Sequence, residues 1–296
     1  MKLTTSNKKT NAALLSIISN TSLIALKILA GVISGSVSII SEAIHSSIDL
    51  VASFIAYFSV RMSSKPADRE HPYGHGKIEN FSGLIEGVLI FIAALIIIKE
   101  AIGKMINPSQ VGETWLGITI MFISAITNLI VSKNLYKVAK EEDSMALEAD
   151  ALHLKTDVYT SVGVGVGLIV LEVTKLAILD SLIAIAVALL IIKEACTLCV
   201  EAFKPLIDTK LSDEEEDKIC TVMRKYNDQI IDYHDLCTRK SGNMKYVEFH
   251  MTVDKMLSVQ KSHEISENIE KDLEETLKNT YVLIHIEPGD KEGKYL

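Results

Sequence analysis

Apolar residues run almost unbroken through six stretches, near residues 12–34, 38–60, 82–104, 114–136, 147–171 and 177–201. A helix crosses a hydrocarbon core with about 20 such residues, so each stretch predicts one transmembrane helix. Ser34-Gly35-Ser36 divides the first two and is too short for more than a turn. Pro108-Ser109 and Gly112 mark the connection from the third to the fourth. Gly163, Gly165 and Gly167 lie toward the far end of the fifth. Small residues there allow helices to approach closely, or mark a flexible point.

After Asp208 the pattern changes. Ser212-Asp213-Glu214-Glu215 has the form of a capping box and predicts a helix through about Lys225. Residues 230–238 and 245–253 read as strands. In the second, Tyr246, Glu248 and His250 alternate with Val247, Phe249 and Met251. Ser258 is placed to cap a helix to about Lys278, and residues 281–287 form a last strand. The order α-β-β-α-β describes a small open-sheet α+β domain. The chain is thus predicted to be a mostly α membrane protein, with six transmembrane helices in residues 1–208 and a polar domain in 209–296.

Composition agrees. The 296 residues are 48% hydrophobic, with mean hydropathy +0.27, a value that points to a membrane protein. Net charge is −8, and residues 209–296 carry 13 Lys and Arg against 19 Asp and Glu. This acidic tail disfavours nucleic-acid binding. The four cysteines, at 196, 199, 220 and 237, form no disulfide framework. No small-residue cleavage site follows the first apolar run, which reads as a retained helix. Lys2, Lys8, Lys9, Arg61, Lys65, Arg69, Lys77, Lys133, Lys137 and Lys140 fall on one side of the membrane. The other side has essentially Lys99, Lys104 and Lys175. Positive charge stays inside, so both termini and the tail are expected in the cytoplasm.

Candidate chemistry lies in the eight histidines. His45-Ser46-Ser47-Ile48-Asp49 and His153-Leu154-Lys155-Thr156-Asp157 repeat one pattern, H-x-x-x-D, on the second and fifth spans. Residues four apart share a helix face. Two such helices facing each other offer two imidazoles and two carboxylates, a donor set suited to Zn²⁺. The plain alternative for one intramembrane His is a helix-packing hydrogen bond. It explains a repeated pair poorly, because ionisable groups at membrane depth are costly.

A second set, Asp68, His71 and His75, lies in the connection between the second and third spans, where Pro72 and Gly74 favour a turn. A polar loop is the bland reading. A third set is His234, His250, His263, His285 and Glu287 in the tail; Glu248 and His250 share a strand face, as do His285 and Glu287. Here the bland reading is solvated histidines on an acidic domain. Cys196 and Cys199 have no partner pair and read as helix packing. Lys27, Glu42, Glu86 and Asp180 lie at or near membrane depth with no role assigned.

Together these features resemble the cation diffusion facilitators: six spans, the paired motifs on spans two and five, the His-Pro-Tyr-Gly-His-Gly-Lys-Ile-Glu loop, and the tail. The likeness covers essentially the whole chain. It implies a homodimeric, proton-coupled antiporter in a prokaryotic inner membrane, exporting divalent transition metal from the cytoplasm, and no enzyme. The tail would have a metallochaperone-like fold. The transport site would be His45, Asp49, His153 and Asp157; the loop site Asp68, His71 and His75; the tail site His234, His250, His263, His285 and Glu287. That Glu stands where bacterial relatives often have Asp. Lys77 and Asp208 match a family ion pair between membrane and tail domains. Many bacterial members carry Asp at the position of His45, and members with His there look more zinc-selective. Imidazole in place of an oxygen donor favours Zn²⁺ over Mn²⁺, so Zn²⁺ is the expected substrate and regulatory ion. Broader Fe²⁺, Cd²⁺ or Mn²⁺ export is the alternative within the family. A membrane-anchored sensor that moves nothing is the alternative outside it. A metalloprotease is set aside, because Pro72 stands where the Glu of H-E-x-x-H would be.

Overall fold

The computed structural model describes residues 2–34, 37–106, 115–174 and 177–289. The chain divides into two compact units, Met1–Phe203 and Lys204–Leu296. Among the described residues the first unit has six long helices: α1 (Lys2–Ser34), α2 (Val37–Ser63), α3 (Lys77–Ile106), α4 (Trp115–Glu142), α5 (Met145–Thr174) and α6 (Ala177–Phe203). Several run past the apolar stretches into polar sequence. α1 begins at Lys2 and α3 at Lys77, since no Pro or Gly interrupts either polar lead-in.

Three stretches among the described residues are both long and apolar enough to cross a membrane: Lys8–Leu29, Lys77–Gly103 and Ser181–Ile207. The unit exposes many large apolar residues and buries polar ones among its apolar core. Leu89, Ile92, Ile96, Phe122 and Ile130 are exposed, while Ser16, Asn20, Ser53, Glu86 and Asp150 are buried. An apolar exterior with polar groups kept inside suits a lipid surround. Ala12, Val60, Val131, Leu135, Leu147 and Leu154 form one core cluster, and Ile90, Ala149, Leu152, Ile191 and Leu198 a second. α5 contributes to both clusters, so it is held on several sides.

The second unit opens with a short 3₁₀ turn, Lys204–Ile207, and then α7 (Asp213–Met223), β1 (Asp232–Ser241), β2 (Met244–Asp254), α8 (Val259–Thr276) and β3 (Thr280–Gly289). Ser212 caps α7 in a full capping box with Glu215, and Ser258 caps α8. The sheet order is β1-β2-β3, with β1 antiparallel and β3 parallel to β2. Val247, Phe249, Met251 and Val253 pack with Ile219, Met223, Ile265, Ile269 and Leu273 in one core. β1 begins two residues and ends three residues later than the sequence pattern suggests, because tertiary pairing with β2 sets its ends.

Candidate metal centres

The connection between α2 and α3 is built around Asp68. Its Oδ1 accepts the backbone N–H of His71 at 2.7 Å and of Glu70 at 3.0 Å, and its own N–H donates to the His71 carbonyl at 3.2 Å. The His71 carbonyl also accepts the Gly74 N–H at 2.9 Å, closing a turn over Pro72 and Tyr73. Gly74 sits at φ +80, a conformation that side chains other than glycine rarely adopt. This turn brings the two imidazoles together, tilted by 43° with ring centroids 4.5 Å apart. Asp68 Oδ1 lies 3.4 Å from His71 Nδ1, and Oδ2 lies 3.5 Å from His75 Nε2. Ligand atoms around tetrahedral zinc, at about 2.0 Å from the metal, stand about 3.3 Å apart. The spacing therefore fits an ion held by one carboxylate and two imidazoles. His75 is mostly covered and its Nδ1 has no hydrogen-bond partner among the described residues, whereas Asp68 and His71 are half exposed. The backbone N–H of His71 holds the Asp68 carboxyl below its ordinary value, against some desolvation and with help from Glu70.

In the second unit, strand register makes the site. His234 stands opposite His250 across the antiparallel pair, and His250 stands beside His285 across the parallel pair. Phe249 and Met251 are buried in the core, and side chains alternate along a strand, so His250 faces away from α7 and α8. The three imidazoles form a row on the uncovered sheet face, with centroids 5.4 Å and 4.8 Å apart. Glu287 reaches all three: its Oε1 is 2.9 Å from His250 Nδ1 and 3.8 Å from His285 Nε2, and its Oε2 is 3.4 Å from His234 Nε2.

A further ligand candidate, Asp235, was not read from the sequence. Strict alternation would put it on the core face. A bulge between His234 and Cys237, with Asp235 at φ 51, turns it instead so that its carboxylate groups with His234 and His250 within 4.8 Å. The available signal was the tolerance of Asp for the left-handed region. His263 is not brought to this cluster. It is exposed on α8, whose Ile265 and Ile269 enter the core on the other face of the sheet, and it lies 3.3 Å from Glu267.

In the first unit, His153 and Asp157 lie one turn apart on α5, both partly buried. Asn128 of α4 donates its Nδ2 to Asp157 Oδ2 at 3.4 Å. Asn128 was also missed, though a polar residue inside an apolar span was its signal. α2 carries His45 and Asp49 at the same spacing; their side chains, like those of Glu42 and Asp180, lie outside the described residues. Lys27 is buried and donates to Ser46 at 2.6 Å. Lys77 and Asp208 belong to different units; within its own unit Asp208 lies 3.6 Å from Arg239.

Residues 13–207 match the family described as the cation efflux transmembrane domain, and residues 211–289 match the cation efflux protein cytoplasmic domain. The chain belongs to the cation diffusion facilitator family. As such it is an integral membrane protein and a cation efflux transporter. It is 35% identical, over 93% of its length and 89% of the relative's, to an uncharacterized transporter of Synechocystis. It is 31% identical to the cation-efflux pump FieF of Yersinia enterocolitica, over 90% of this chain and 88% of that one. A solved structure of the metal-bound C-terminal domain of the CzcD transporter from Thermotoga maritima is 26% identical, with TM-score 0.25, covering 27% of this chain and 91% of that one. In this cation diffusion facilitator the α5 pair and the loop centre fall in the transmembrane-domain match, and the histidine row falls in the cytoplasmic-domain match.

Proposed function

We propose that this transporter exports Zn²⁺ from the cytoplasm in exchange for protons, as a homodimer with six spans per protomer in a prokaryotic inner membrane and both termini inside. The observation that carries the reading is the pair His153 and Asp157, one turn apart on the helix shared by both core clusters of the first unit. The same spacing recurs as His45 and Asp49 on α2. The naming of FieF as a cation-efflux pump supports export as the direction.

In this mechanism Zn²⁺ enters from the cytoplasm and binds His45, Asp49, His153 and Asp157. Imidazoles bind metal only when deprotonated, so binding releases protons. Asn128 holds Asp157 from the α4 side. Rocking of the helices opens the site outward, where protons compete for the imidazoles and free the metal. Inward proton flow thereby drives outward metal flow. The loop and tail centres bind cytoplasmic Zn²⁺, and their filling favours the transporting dimer. The test is zinc flux into proteoliposomes under an imposed pH gradient. Asp157→Ala abolishes flux, and unchanged flux in that variant rejects the site. His45→Asp broadens transport toward Cd²⁺ and Fe²⁺; selectivity identical to the parent rejects the role given to His45.

A further inference from the structure

Lys27 on α1 belongs to none of these centres. It is 5% exposed, and its ammonium donates to Ser46 Oγ of α2 at 2.6 Å. Ser46 follows His45 in the chain and precedes Asp49 by one helical turn. Consecutive Cα atoms are about 3.8 Å apart and residues one turn apart about 5–6 Å, so the ammonium lies within about 10 Å of the backbone at both ligand positions.

A second observation puts the same charge at the depth of the α5 pair. Asn20 of α1 donates to Ser53 of α2 at 2.8 Å, and Ser53 donates to Asp150 Oδ1 of α5 at 3.1 Å. These bonds join three helices in one layer. Seven residues further along α1 and α5 stand Lys27 and Asp157, and seven back along α2 stands Ser46. α1 and α2 run antiparallel, since Lys27 bonds Ser46 as Asn20 bonds Ser53. α1 and α5 run parallel, since Glu79 joins Lys9 to Ser144 at their N-terminal ends. Seven residues make two turns to within about 20°, with a rise of about 10.5 Å. Lys27, Ser46 and Asp157 therefore share the next layer. Asn128 of α4, which donates to Asp157 at 3.4 Å, forms its fourth side.

The first layer shows what helix packing alone requires: a neutral Asn holds the α2 serine. In the next layer a buried ammonium makes the same bond, at a far higher desolvation cost. What it adds is a positive charge. Two imidazoles and two carboxylates form a donor set like that of structural zinc sites, which hold their ion tightly. A transporter has to let its ion go. We propose that Lys27 sets the affinity of the transport site. Ser46 holds its ammonium near the ion, whose two charges it repels, so that Zn²⁺ is bound weakly enough to leave. In a buried layer such repulsion reaches across this distance with little screening by salt. The inference rests on the transport reading above.

The test combines flux in proteoliposomes under a pH gradient with equilibrium dialysis of the full-length protein in detergent, each with Zn²⁺ and with Cd²⁺. At the site that Asp157→Ala removes, Lys27→Met tightens Zn²⁺ binding by about tenfold or more. KM and kcat fall together in that variant, because release slows. A charge acts alike on two ions of equal charge, so the ratio of Zn²⁺ to Cd²⁺ affinity stays as in the parent. A lysine that merely shapes the ligands would change that ratio. Lys27→Arg keeps the charge and restores the parent values. Lys27→Gln keeps an N–H donor for Ser46 and loses only the charge, so it follows Lys27→Met and guards against one variant failing to fold. Affinity in Lys27→Gln equal to or weaker than the parent, with Asp157→Ala inactive, overturns this inference alone, as does an altered Zn²⁺ to Cd²⁺ ratio. Unchanged flux in Asp157→Ala overturns the transport reading and this inference with it.

Discussion

Lys9 on α1 and Glu79 on α3 form an ion pair of 3.0 Å with both side chains more than nine-tenths buried. The same carboxylate accepts Ser63 of α2 at 2.6 Å, and also Ser144 from the turn between α4 and α5. One Glu thus ties together the ends of five helices. Removing one partner strands the other charge in a dry site, which costs about 3–5 kcal/mol. Glu79→Ala is therefore expected to lower the thermal unfolding temperature in detergent markedly, and Lys9→Met with Glu79→Leu to lower it less. Equal losses in the two would show that packing, not charge, dominates here.

Gly87 lets α3 approach α6. A Cβ there would sit 2.6 Å from Cys199 Sγ and 3.4 Å from the Cys199 backbone nitrogen. Overpacking of this kind costs about 1–3 kcal/mol. Gly87→Ala should lower the unfolding temperature, and adding Cys199→Ala should restore part of the loss. No restoration would place the strain on the backbone instead.

The Asp68 carboxyl titrates below an ordinary Asp because the His71 N–H donates to it. With its folded value depressed, the loop contact it makes is present above the unfolded value and is lost as pH falls through the folded one. The His71 amide resonance should therefore stay put down to below about pH 4 and shift only beneath that. Asp68→Asn keeps an acceptor for the amides, so the loop keeps its shape while metal affinity falls, as read by titration calorimetry.

Metal at the histidine row should stabilise the second unit. Zn²⁺ at a hundred times its Kd adds about 2.7 kcal/mol, seen as a rise in unfolding temperature that EDTA reverses. His250, in contact with both neighbours of the row and 2.9 Å from Glu287, is the residue whose loss matters most. His250→Ala should remove most of the shift, and His263→Ala much less. The reverse ranking would relocate the site to α8.

The helices and their order were legible in the apolar runs; among the described residues three of them are long and apolar enough to cross a membrane, and such a span leaves the backbone no alternative within lipid. The tail order was legible from two capping serines and one strongly alternating strand. The gathering of Asp68, His71 and His75 was legible because they lie within eight residues of chain, where a Pro and a Gly dictate the turn. Helix ends were less so, since polar residues continue a helix as readily as apolar ones. Asp235 and Asn128 escaped for different reasons: one depends on a bulge that local pattern does not encode, the other on which of its neighbours α4 faces.

By itself, then, the sequence determined which segments are apolar helices, where the polar domain begins, and that imidazoles and carboxylates recur one helical turn apart. These follow from local spacing and hydropathy alone. Only the tertiary structure decided which of them meet. It set His234, His250 and His285 in one row through strand register, left His263 on the far side of the sheet, and buried Glu79 with Lys9. Those pairings join residues well separated along the chain, and the distance between them is fixed by packing, which no local pattern carries.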